Sequence, residues 1–500
     1  MSLVLRIFLL LVFFESDSSS PPIPESENPQ SNIYYKIFVP SFYDSDGDGI
    51  GDLNGIAFRL NYLHQLGIHN IILSPIYKIN SIDEKAPVDF DSIDQRFGNA
   101  EQLKKMIQTA HDLNINVMLT LDLNVTSIHS HWFTESQLHH SPYYQYYNWS
   151  DNQNYLENDG WYKPNQSVFN EKYFSSEGKQ AASLFIDNDA VRYEIIMGAK
   201  KILNESKADG FFVINVNELV TQLPSESEES WWTLFCNFLH REAPGCLLIS
   251  DSKLNAPPLP YNFFDGYMDT AFQSTLCQAI LSEKPDELKS NLIKKTKSDS
   301  LFKSFYYLTD EKSGRMSTQF SDSKVRERLA TNILFTIPGN IILNYGDELG
   351  MNGSVAKNTF NEPFVWNFNK KDQGQTTWKK LVANGRQNIN PFSVQLIDSL
   401  SEYYYFKKLI DFRNNHNCFI DGSITDSDIW QHQLLAYKVS DEKESLLIIH
   451  NMSSTGQQLI MEGNNSLYLK IIWQSGREVF ESQNEFFLPP FSSVVLSSNN

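Results

Sequence analysis

Short apolar runs alternate with helical segments along most of this 500-residue chain, and that alternation limits the fold more than any other feature. The runs YYKIFV (34–39), NIILS (70–74) and NVMLTLD (116–122) have the length and composition of buried strands. Further strands are predicted at 211–216, 246–250, 302–308 and 340–345, with one more expected near 261–270. Repeated β-α units of this number predict an α/β fold, an eight-stranded (β/α)8 TIM barrel.

Helical segments separate these runs. The segment from Asn54 to Gly67 places Ile56, Leu60 and Leu63 on one face and ends on a glycine, which suits the position after a helix C-terminus. A second helix is predicted near 100–113. With 41% hydrophobic residues, the chain has enough apolar side chains for a large barrel core and smaller accessory domains.

Two departures from this alternation define the predicted domains. The stretch 124–187 is polar, aromatic and too long for an ordinary loop between a strand and a helix, so it is predicted to be an insertion. From 424 to 500 the pattern changes to short alternating runs, which predict an antiparallel β domain. The barrel is then formed by 33–123 and 188–423.

The N-terminal region indicates entry into the secretory pathway. Residues 1–20 contain an apolar run too short for an ordinary membrane span, and they are interpreted as a signal peptide or a truncated signal anchor. Residues 21–32 are predicted to be a disordered linker. N-glycosylation triplets, which support a lumenal or extracellular glycoprotein, begin at Asn124, Asn148, Asn165, Asn204, Asn352, Asn451 and Asn464.

Charge and cysteine content exclude some classes of protein. The net charge of −19 argues against binding to nucleic acid or to anionic membrane surfaces, which favour basic patches. Four cysteines are too few for a disulfide-stabilised scaffold. Cys236 and Cys246 lie close enough in sequence to form a disulfide, although Cys246 also fits a buried thiol at the start of a strand.

The segment DSDGDGIGDLNGI (44–56) is a candidate metal site. Asp44, Asp46, Asp48 and Asp52 alternate with small residues, so their carboxylates can converge on a hard cation together with the Ile50 carbonyl. The sequence therefore predicts a structural Ca²⁺ site. A solvated Asp/Gly turn is the alternative for such a composition.

Several segments in order carry a resemblance to a known family. They are YYKIFVPSFYDSDGDGIGDLNGI, LSPIYK (73–78), FGNAEQLKKMI (97–107), HWF (131–133) and IPGNIILNYGDELGM (337–351). Together they resemble the α-glucosidase branch of the α-amylase family, from about residue 33 to the C-terminus. The resemblance implies a TIM barrel with a reduced domain B inserted after the third strand, and a C-terminal antiparallel β domain. In this branch the loop that matches 44–56 often holds calcium.

The resemblance also implies that catalytic groups are missing. Retaining glycosidases use two carboxyl groups about 5–5.5 Å apart, one as nucleophile and one as acid/base. The family's nucleophile falls on Ile214, and the arginine two residues before it falls on Phe212. The acid/base position falls on Asp251, and a further acidic position falls on Asp310. These positions are therefore interpreted as degenerate.

The positions that hold the sugar ring depart from the family as well. They fall on Glu84, Lys85 and Ala86, on Thr120, Asn124 and Val125, and on Leu308 and Thr309; in the second set only the asparagine, Asn124, is retained. Glu218 is the nearest carboxylate beyond Ile214, but it belongs to the following loop or helix. The resulting prediction is a protein without catalytic activity.

A glucosidase-like barrel without catalysis resembles the rBAT-type heavy chains of heteromeric amino-acid transporters. The main hypothesis is therefore a non-catalytic ancillary subunit, at the outer face of the plasma membrane or secreted, that traffics and stabilises a multi-spanning light chain. Residues 15–235 contain no cysteine, so the association is expected to be noncovalent. The alternatives are a secreted pseudo-glucosidase that binds protein or, weakly, carbohydrate, and an active α-glucosidase that hydrolyses α-glucosides.

Overall fold

The structure is a computed structural model. It describes residues 31–82, 84, 86–165, 169–216, 225–251, 263–298, 303–368, 374–429, 431–475, 480–482 and 485–498. The predicted signal segment 1–20, most of the predicted linker and Glu218 lie outside the described residues.

Eight parallel strands form a closed barrel in which each strand pairs with its neighbours in chain order and β1 also pairs with β8. Short runs rich in Ile, Leu and Phe suit these strands because both of their faces are buried. The strands are β1 (Ile33–Ile37), β2 (Asn70–Leu73), β3 (Asn116–Asp122), β4 (Gly210–Ile214), β5 (Leu247–Ser250), β6 (Gly266–Met268), β7 (Lys303–Tyr307) and β8 (Asn340–Asn344).

In the described part of the chain, eight longer helices surround the barrel. They are α1 (Leu53–Leu66), α2 (Ala100–Asp112), α3 (Asp189–Ser206), α4 (Ser225–Glu242), α5 (Thr270–Ser282), α6 (Asp286–Ser298), α7 (Lys324–Thr336) and α8 (Glu402–Asn414). Their ends follow local sequence. Asp52 accepts a hydrogen bond from the Gly55 backbone N–H at the start of α1, and Gly67 adopts a left-handed conformation (φ 92°) just after its end.

Shorter helical turns lie between these elements. They are Val39–Phe42, His131–Ser136, Pro142–Tyr146, Glu157–Asp159, Met316–Gln319, Asp347–Leu349, Phe392–Gln395, Cys418–Asp421 and Gly463–Leu467.

The barrel has two apolar layers. Inside the barrel, inward-facing side chains such as Ile72, Met118, Phe212 and Phe305 form one buried cluster. A much larger cluster fills the space between the strands and the surrounding helices. The barrel interior is thus filled with side chains, and a ligand site is expected above the carboxyl ends of the strands, where ligands bind in this architecture.

The segment between β3 and α3 forms a small substructure. The strand Val125–Ser127 pairs antiparallel with Ala181–Ser183, which ties both ends of the insertion together. Between them lies a three-stranded antiparallel sheet formed by Trp149–Ser150, Trp161–Tyr162 and Lys172–Phe174. A separate hairpin, Tyr77–Ile79 with Pro87–Ile93, follows β2. The insertion therefore lies over the same end of the barrel at which β3 ends.

The C-terminal part is antiparallel. A five-stranded sheet has the order β9 (Ser423–Asp426), β10 (Leu434–Ser440), β11 (Ser445–Asn451), β16 (Ser493–Ser498) and β13 (Tyr468–Ser475). A second sheet is formed by β12 (Gln457–Ile460), β15 (Glu485–Leu488) and β14 (Phe480–Ser482).

The predicted fold class is confirmed: a closed barrel of eight parallel strands is followed by an antiparallel β domain. The short strand β6 lies within the region where sequence indicated only that a strand was needed. All four cysteines are free thiols, so the Cys236–Cys246 disulfide is not formed. Among the described residues, no helix combines the length and hydrophobicity needed to cross a membrane.

Candidate active site

A cavity of about 700 Å³ opens at the carboxyl ends of the barrel strands. Its size lies within the range of small-molecule sites in proteins, roughly 300–1,000 Å³. Five residues with carboxyl side chains contribute to its wall, together with apolar and hydroxyl groups. They are Asp122, Glu177, Asp251, Asp310 and Glu311.

Phe212 and Ile214, which occupy the positions matched to the family's arginine and nucleophile, both line this cavity. Phe212 is buried in the barrel interior, and the Lys36 ammonium lies 5.1 Å from the centre of its ring. Ile214 ends β4 and packs partly against the same cluster. Neither side chain offers an oxygen, so a nucleophile in this cavity must come from another strand or loop.

Asp251 follows β5 directly, and its backbone N–H bonds to the Val213 carbonyl of the neighbouring strand. Its carboxylate accepts a hydrogen bond from the Val216 backbone N–H at 3.2 Å. Burial raises the pKa of Asp251, although these backbone donors and the charges of Lys312 and Lys36 oppose the rise. The group is therefore suited to hold a proton closer to neutral pH than an exposed aspartate.

A second acidic pair lies beside it. Asp122 ends β3 and is almost fully buried, whereas Glu177 is exposed on the insertion. The Asn215 side-chain amide donates to both, at 2.9 Å to Asp122 and 2.8 Å to Glu177. Burial, followed by the charge of Glu177, raises the pKa of Asp122 well above its ordinary value. Asp122 therefore holds a proton in preference to giving the pair a second negative charge.

Asp310 lies in a tight turn after β7. One carboxylate oxygen accepts from the Ser313 hydroxyl at 2.6 Å and from the Lys312 backbone N–H at 3.0 Å. Tyr307 also lines the cavity, and burial together with the charge of Asp310 raises the pKa of its hydroxyl. Asp310 thus has a defined structural role in its turn while facing the cavity.

The other positions derived from the family mostly serve packing. Thr120 donates to the Leu73 carbonyl at 2.6 Å, and Thr309 donates to Asp347 at 2.8 Å. Val125 and Ala86 belong to a small apolar cluster. Leu308 is buried, Glu84 accepts a hydrogen bond from Asn80, and Lys85 lies outside the described residues.

Sequence reasoning missed Asp122, Glu177 and Asn215. Asp122 is the last residue of the predicted strand 116–122, and a carboxylate at the carboxyl end of a barrel strand is a recognisable sign of a site. Glu177 gave no such sign because it lies in a Ser/Gly-rich segment of the insertion. Only the fold brings it to the barrel.

The predicted metal site is only partly assembled. Asp44, Asp46 and Asp48 bring carboxylate oxygens within 4.8 Å of one another. Asp52 does not join them: its oxygens accept from the Ser45 backbone N–H and hydroxyl and from Gly55, so it acts as the helix cap instead. Asp52 is therefore not part of this cluster, and its role as a ligand, like that of the Ile50 carbonyl, stays a prediction.

Two predicted glycosylation sites are incompatible with the fold. Asn124 and Asn451 are fully buried, and the Asn451 amide donates to three backbone carbonyls. A glycan on that nitrogen would require these bonds to break. The five remaining sites stay predictions: Asn148, Asn165, Asn204, Asn352 and Asn464.

Comparison with known proteins follows the same division of the chain. Residues 36–244 match the family profile described as alpha amylase, catalytic domain. Residues 434–495 match that of the alpha-amylase SusG C-terminal domain. Among solved structures, the alpha-amylase from H. orenii superposes with a TM-score of 0.83 at 24% identity, covering 94% of this chain and all of that one.

Curated relatives extend over most of the chain. Alpha-amylase 3 of Dictyoglomus thermophilum is 29% identical, with 93% of this chain and 92% of the relative covered. A 4-alpha-glucanotransferase of Thermotoga maritima is 27% identical over 86% and 97%. An oligo-1,6-glucosidase of Bacillus cereus is 25% identical over 87% and 92%.

The molecule is thus a (β/α)8 barrel with an acidic cavity at the carboxyl ends of its strands. Residues 36–244 are similar to the catalytic domain of alpha-amylases, and the fold is that of the solved alpha-amylase named above. The prediction of a non-catalytic transporter subunit is wrong, because these relatives are named as enzymes and none of the relatives described above is a transporter subunit. That prediction gave too much weight to Phe212 and Ile214, interpreted Asp251 and Asp310 as degenerate, and did not consider Asp122 and Glu177.

Proposed function

We propose that this protein is an enzyme that cleaves glycosidic bonds between α-linked glucose units in the cavity at the carboxyl ends of β1 to β8. The observation that carries the proposal is the set of carboxyl groups on its wall, Asp122, Glu177, Asp251 and Asp310. Glycoside cleavage needs one carboxyl group that gives a proton and another that acts on the anomeric carbon. The cavity supplies groups of both kinds.

The substrate class is supported by the relatives. Their names share one chemistry, the making or breaking of α-glucosidic bonds, although they differ in the linkage and in whether water or a sugar accepts the glucosyl group. The cavity combines hydroxyl and carboxyl groups with aromatic walls from Phe38, Tyr77 and Phe97. Such a mixture suits a sugar ring, which has apolar faces and hydroxyl groups at its edge.

Asp251 is the proton donor in this proposal. It lies at the carboxyl end of β5, and burial raises its pKa. Because a general acid must be protonated at the working pH, a raised pKa is the expected property of such a group. After bond cleavage the same carboxylate can take the proton of an incoming water or sugar hydroxyl.

We further propose that Ca²⁺ binds at Asp44, Asp46 and Asp48. These carboxylates lie within 4.8 Å of one another, and burial and the charges of Asp46 and Asp44 raise the pKa of Asp48. A cation would relieve this repulsion, and oxygen ligands are those that calcium prefers. Gly49 keeps the turn in shape: its φ is 95°, and a Cβ there would lie 2.7 Å from the Thr377 hydroxyl. The ion would stabilise the turn and takes no part in the reaction.

Two matched variants on α5 test the cavity assignment. Ser274 lines the cavity, whereas Ser282 lies at the far end of the same helix, and both are exposed and bond to a carbonyl of the preceding turn. The full chain is expected to release reducing ends from maltooligosaccharides or isomaltose. Ser274→Trp should reduce that rate because the indole fills the cavity, and Ser282→Trp should not. Absence of turnover on both α-1,4 and α-1,6 substrates would refute the proposal.

A further inference from the structure

The proposed reaction needs a second catalytic group, and no residue has yet been assigned to it. A retaining glycosidase needs a carboxylate near the anomeric carbon in addition to its acid. Ile214 cannot supply it. Asp251 has the acid role, and Asp310 is held by donors of its own turn. The group that replaces the missing carboxylate must therefore reach the cavity from another element.

Glu177 reaches the cavity next to Ile214, although it belongs to the insertion and not to a barrel strand. The residue after Ile214 holds it there. Asn215 has a left-handed backbone (φ 61°), a conformation that asparagine tolerates better than most residues. This conformation directs its side-chain amide to Glu177 and Asp122, at 2.8 and 2.9 Å.

The same short turn also contacts the acid. The backbone N–H of Val216 bonds to Asp251, and backbone hydrogen bonding from Asn215 lowers the pKa of that carboxyl. Asn215 and Val216 therefore connect three carboxyl groups from three elements. Because one amide nitrogen touches both Asp122 and Glu177, their bonded oxygens are at most about 6 Å apart, and Glu177 lines the same cavity as Asp251.

The segment that carries Glu177 is fixed to the end of β3. Asn124 donates to the Ser176 hydroxyl at 2.9 Å, and the Ser176 backbone N–H donates to the Ser183 hydroxyl at 3.0 Å. The Glu177 backbone N–H donates to Ser175. These bonds explain why Asn124 is buried and polar, and they give the exposed Glu177 a defined position.

Burial separates the roles of the two paired carboxyl groups. Asp122 is 2% exposed and its pKa is well above the ordinary value, so it carries the proton of the pair. Glu177, in contrast, is exposed. The buried Tyr77 hydroxyl, which has no hydrogen-bond partner among the described residues, lies near both and is available to a ligand oxygen.

We propose that Glu177, positioned by Asn215 beside Asp122, is the catalytic nucleophile in place of Ile214. This assignment rests on the proposed glycosidic-bond cleavage. A Glu177 oxygen forms a bond to the anomeric carbon while the glycosidic C–O bond breaks. The electron pair of the broken glycosidic bond stays on the departing oxygen, which takes the proton of Asp251. Water then attacks the same carbon, gives a proton to Asp251, and the ester C–O bond breaks with its electrons returning to Glu177.

Covalent trapping tests the assignment. The full chain is incubated with 5-fluoro-α-glucosyl fluoride, which slows the second step, and its peptides are analysed by mass spectrometry. The glycosyl adduct is expected on Glu177. Glu177→Gln should reduce turnover by at least about 10³-fold. Glu157→Gln, an exposed glutamate elsewhere in the insertion, should have no effect.

The outcomes separate the two proposals. An adduct on Asp251 or Asp310, turnover without any adduct, or turnover that persists in Glu177→Gln would overturn the assignment and leave glycosidic-bond cleavage standing. Absence of both turnover and adduct in the unaltered chain would overturn the assignment together with the activity itself.

Asn215→Gly distinguishes positioning from general stability. Glycine keeps the left-handed backbone and its N–H but removes the amide. A misplaced nucleophile is expected to lower kcat by about 10²-fold. Loss of the donor also disfavours the carboxylate, so the acidic limb of the pH profile should move to higher pH. An unchanged pH profile would refute the positioning role of Asn215.

Discussion

The chain contains two groups of three carboxyl residues with opposite properties. Asp44, Asp46 and Asp48 share one turn, and two of them are exposed. Asp122, Glu177 and Asp251 come from three elements and surround one short turn in a cavity. The first group has converging carboxylate oxygens, which suit a cation. In the second group, burial raises the pKa of Asp122 and of Asp251, which suits proton transfer, whereas Glu177 is exposed.

The difference shows that carboxylate number alone says little about function. Water solvates an exposed carboxylate and a metal ion can bind it, so its charge costs little free energy. A buried carboxylate loses this solvation, and the cost favours its protonated form. Asp122 responds by a large rise of its pKa. Substitutions can test this contrast, first at Asp251, whose loss should affect the reaction itself.

Asp251→Asn should have the largest effect. Asparagine keeps the shape and the oxygen that accepts from Val216, but it has no proton to give. General acid catalysis contributes about 10²–10⁴-fold, so kcat on a substrate with a poor leaving group should fall by that factor. Activated aryl α-glucosides, whose leaving groups need little protonation, should be affected less. An equal loss on both substrates would contradict the acid role.

Sequence alone was sufficient for the fold and insufficient for the site. The β-α alternation is local, and each strand can be identified from its own residues; only β6, three residues long, gave a weak signal. The acidic group of the cavity is not local. Glu177 and Asp122 are far apart in sequence, and the contact through Asn215 depends on its backbone conformation, which no residue pattern indicates.

The erroneous functional prediction has the same origin. Ile214 and Phe212 could be assigned from the sequence because they occupy a strand, so their loss was visible. A carboxyl group of the insertion that could replace the missing nucleophile was not visible in the sequence. Likewise, the alternation of aspartates made Asp52 a candidate ligand, but the helix that begins at Leu53 uses it as a cap. In both cases the neighbouring element decided the role.

Glu348 is a buried carboxyl group outside the cavity, so it tests separately whether burial raises the pKa of a carboxyl group. It lies in the turn after β8, is fully buried, and accepts from Tyr35 at 2.6 Å and Tyr62 at 2.5 Å through one oxygen. Its other oxygen has no partner among the described residues. Burial raises its pKa from 4.5 to about 7. The folded protein therefore keeps a proton that the unfolded chain releases in this range.

The sign of the effect on stability follows directly. The contribution of Glu348 to the free energy of unfolding is complete below pH 4.5 and is lost as the pH rises through about 7. The loss amounts to about 3 kcal/mol, an order-of-magnitude figure. Urea unfolding at pH 5 and pH 8 should show a smaller difference for Glu348→Gln than for the unaltered chain. Glu157→Gln should keep the original difference, and an unchanged difference in Glu348→Gln would contradict the raised pKa.

Calcium binding should have a smaller effect than the substitutions of Asp251 and Glu348. An ion that binds only the folded state stabilises it by about 2.7 kcal/mol at a hundredfold excess over its Kd. Calcium should therefore raise the midpoint of thermal unfolding, and a chelator should reverse the rise. Asp46→Asn removes one charge while its remaining oxygen can still accept from the Asp48 N–H, so the variant should fold but respond less to calcium. Asp151→Asn, an exposed aspartate of the insertion, is the control.

Activity adds a second measurement to the calcium test. Because the ion stabilises a turn outside the cavity, kcat below the unfolding transition should stay the same with and without calcium. A fall in kcat at a temperature where the chain stays folded would contradict the separation of the two acidic groups. The same measurement on Asp251→Asn, where stability should respond normally to calcium while kcat stays low, isolates the buried group from the exposed one.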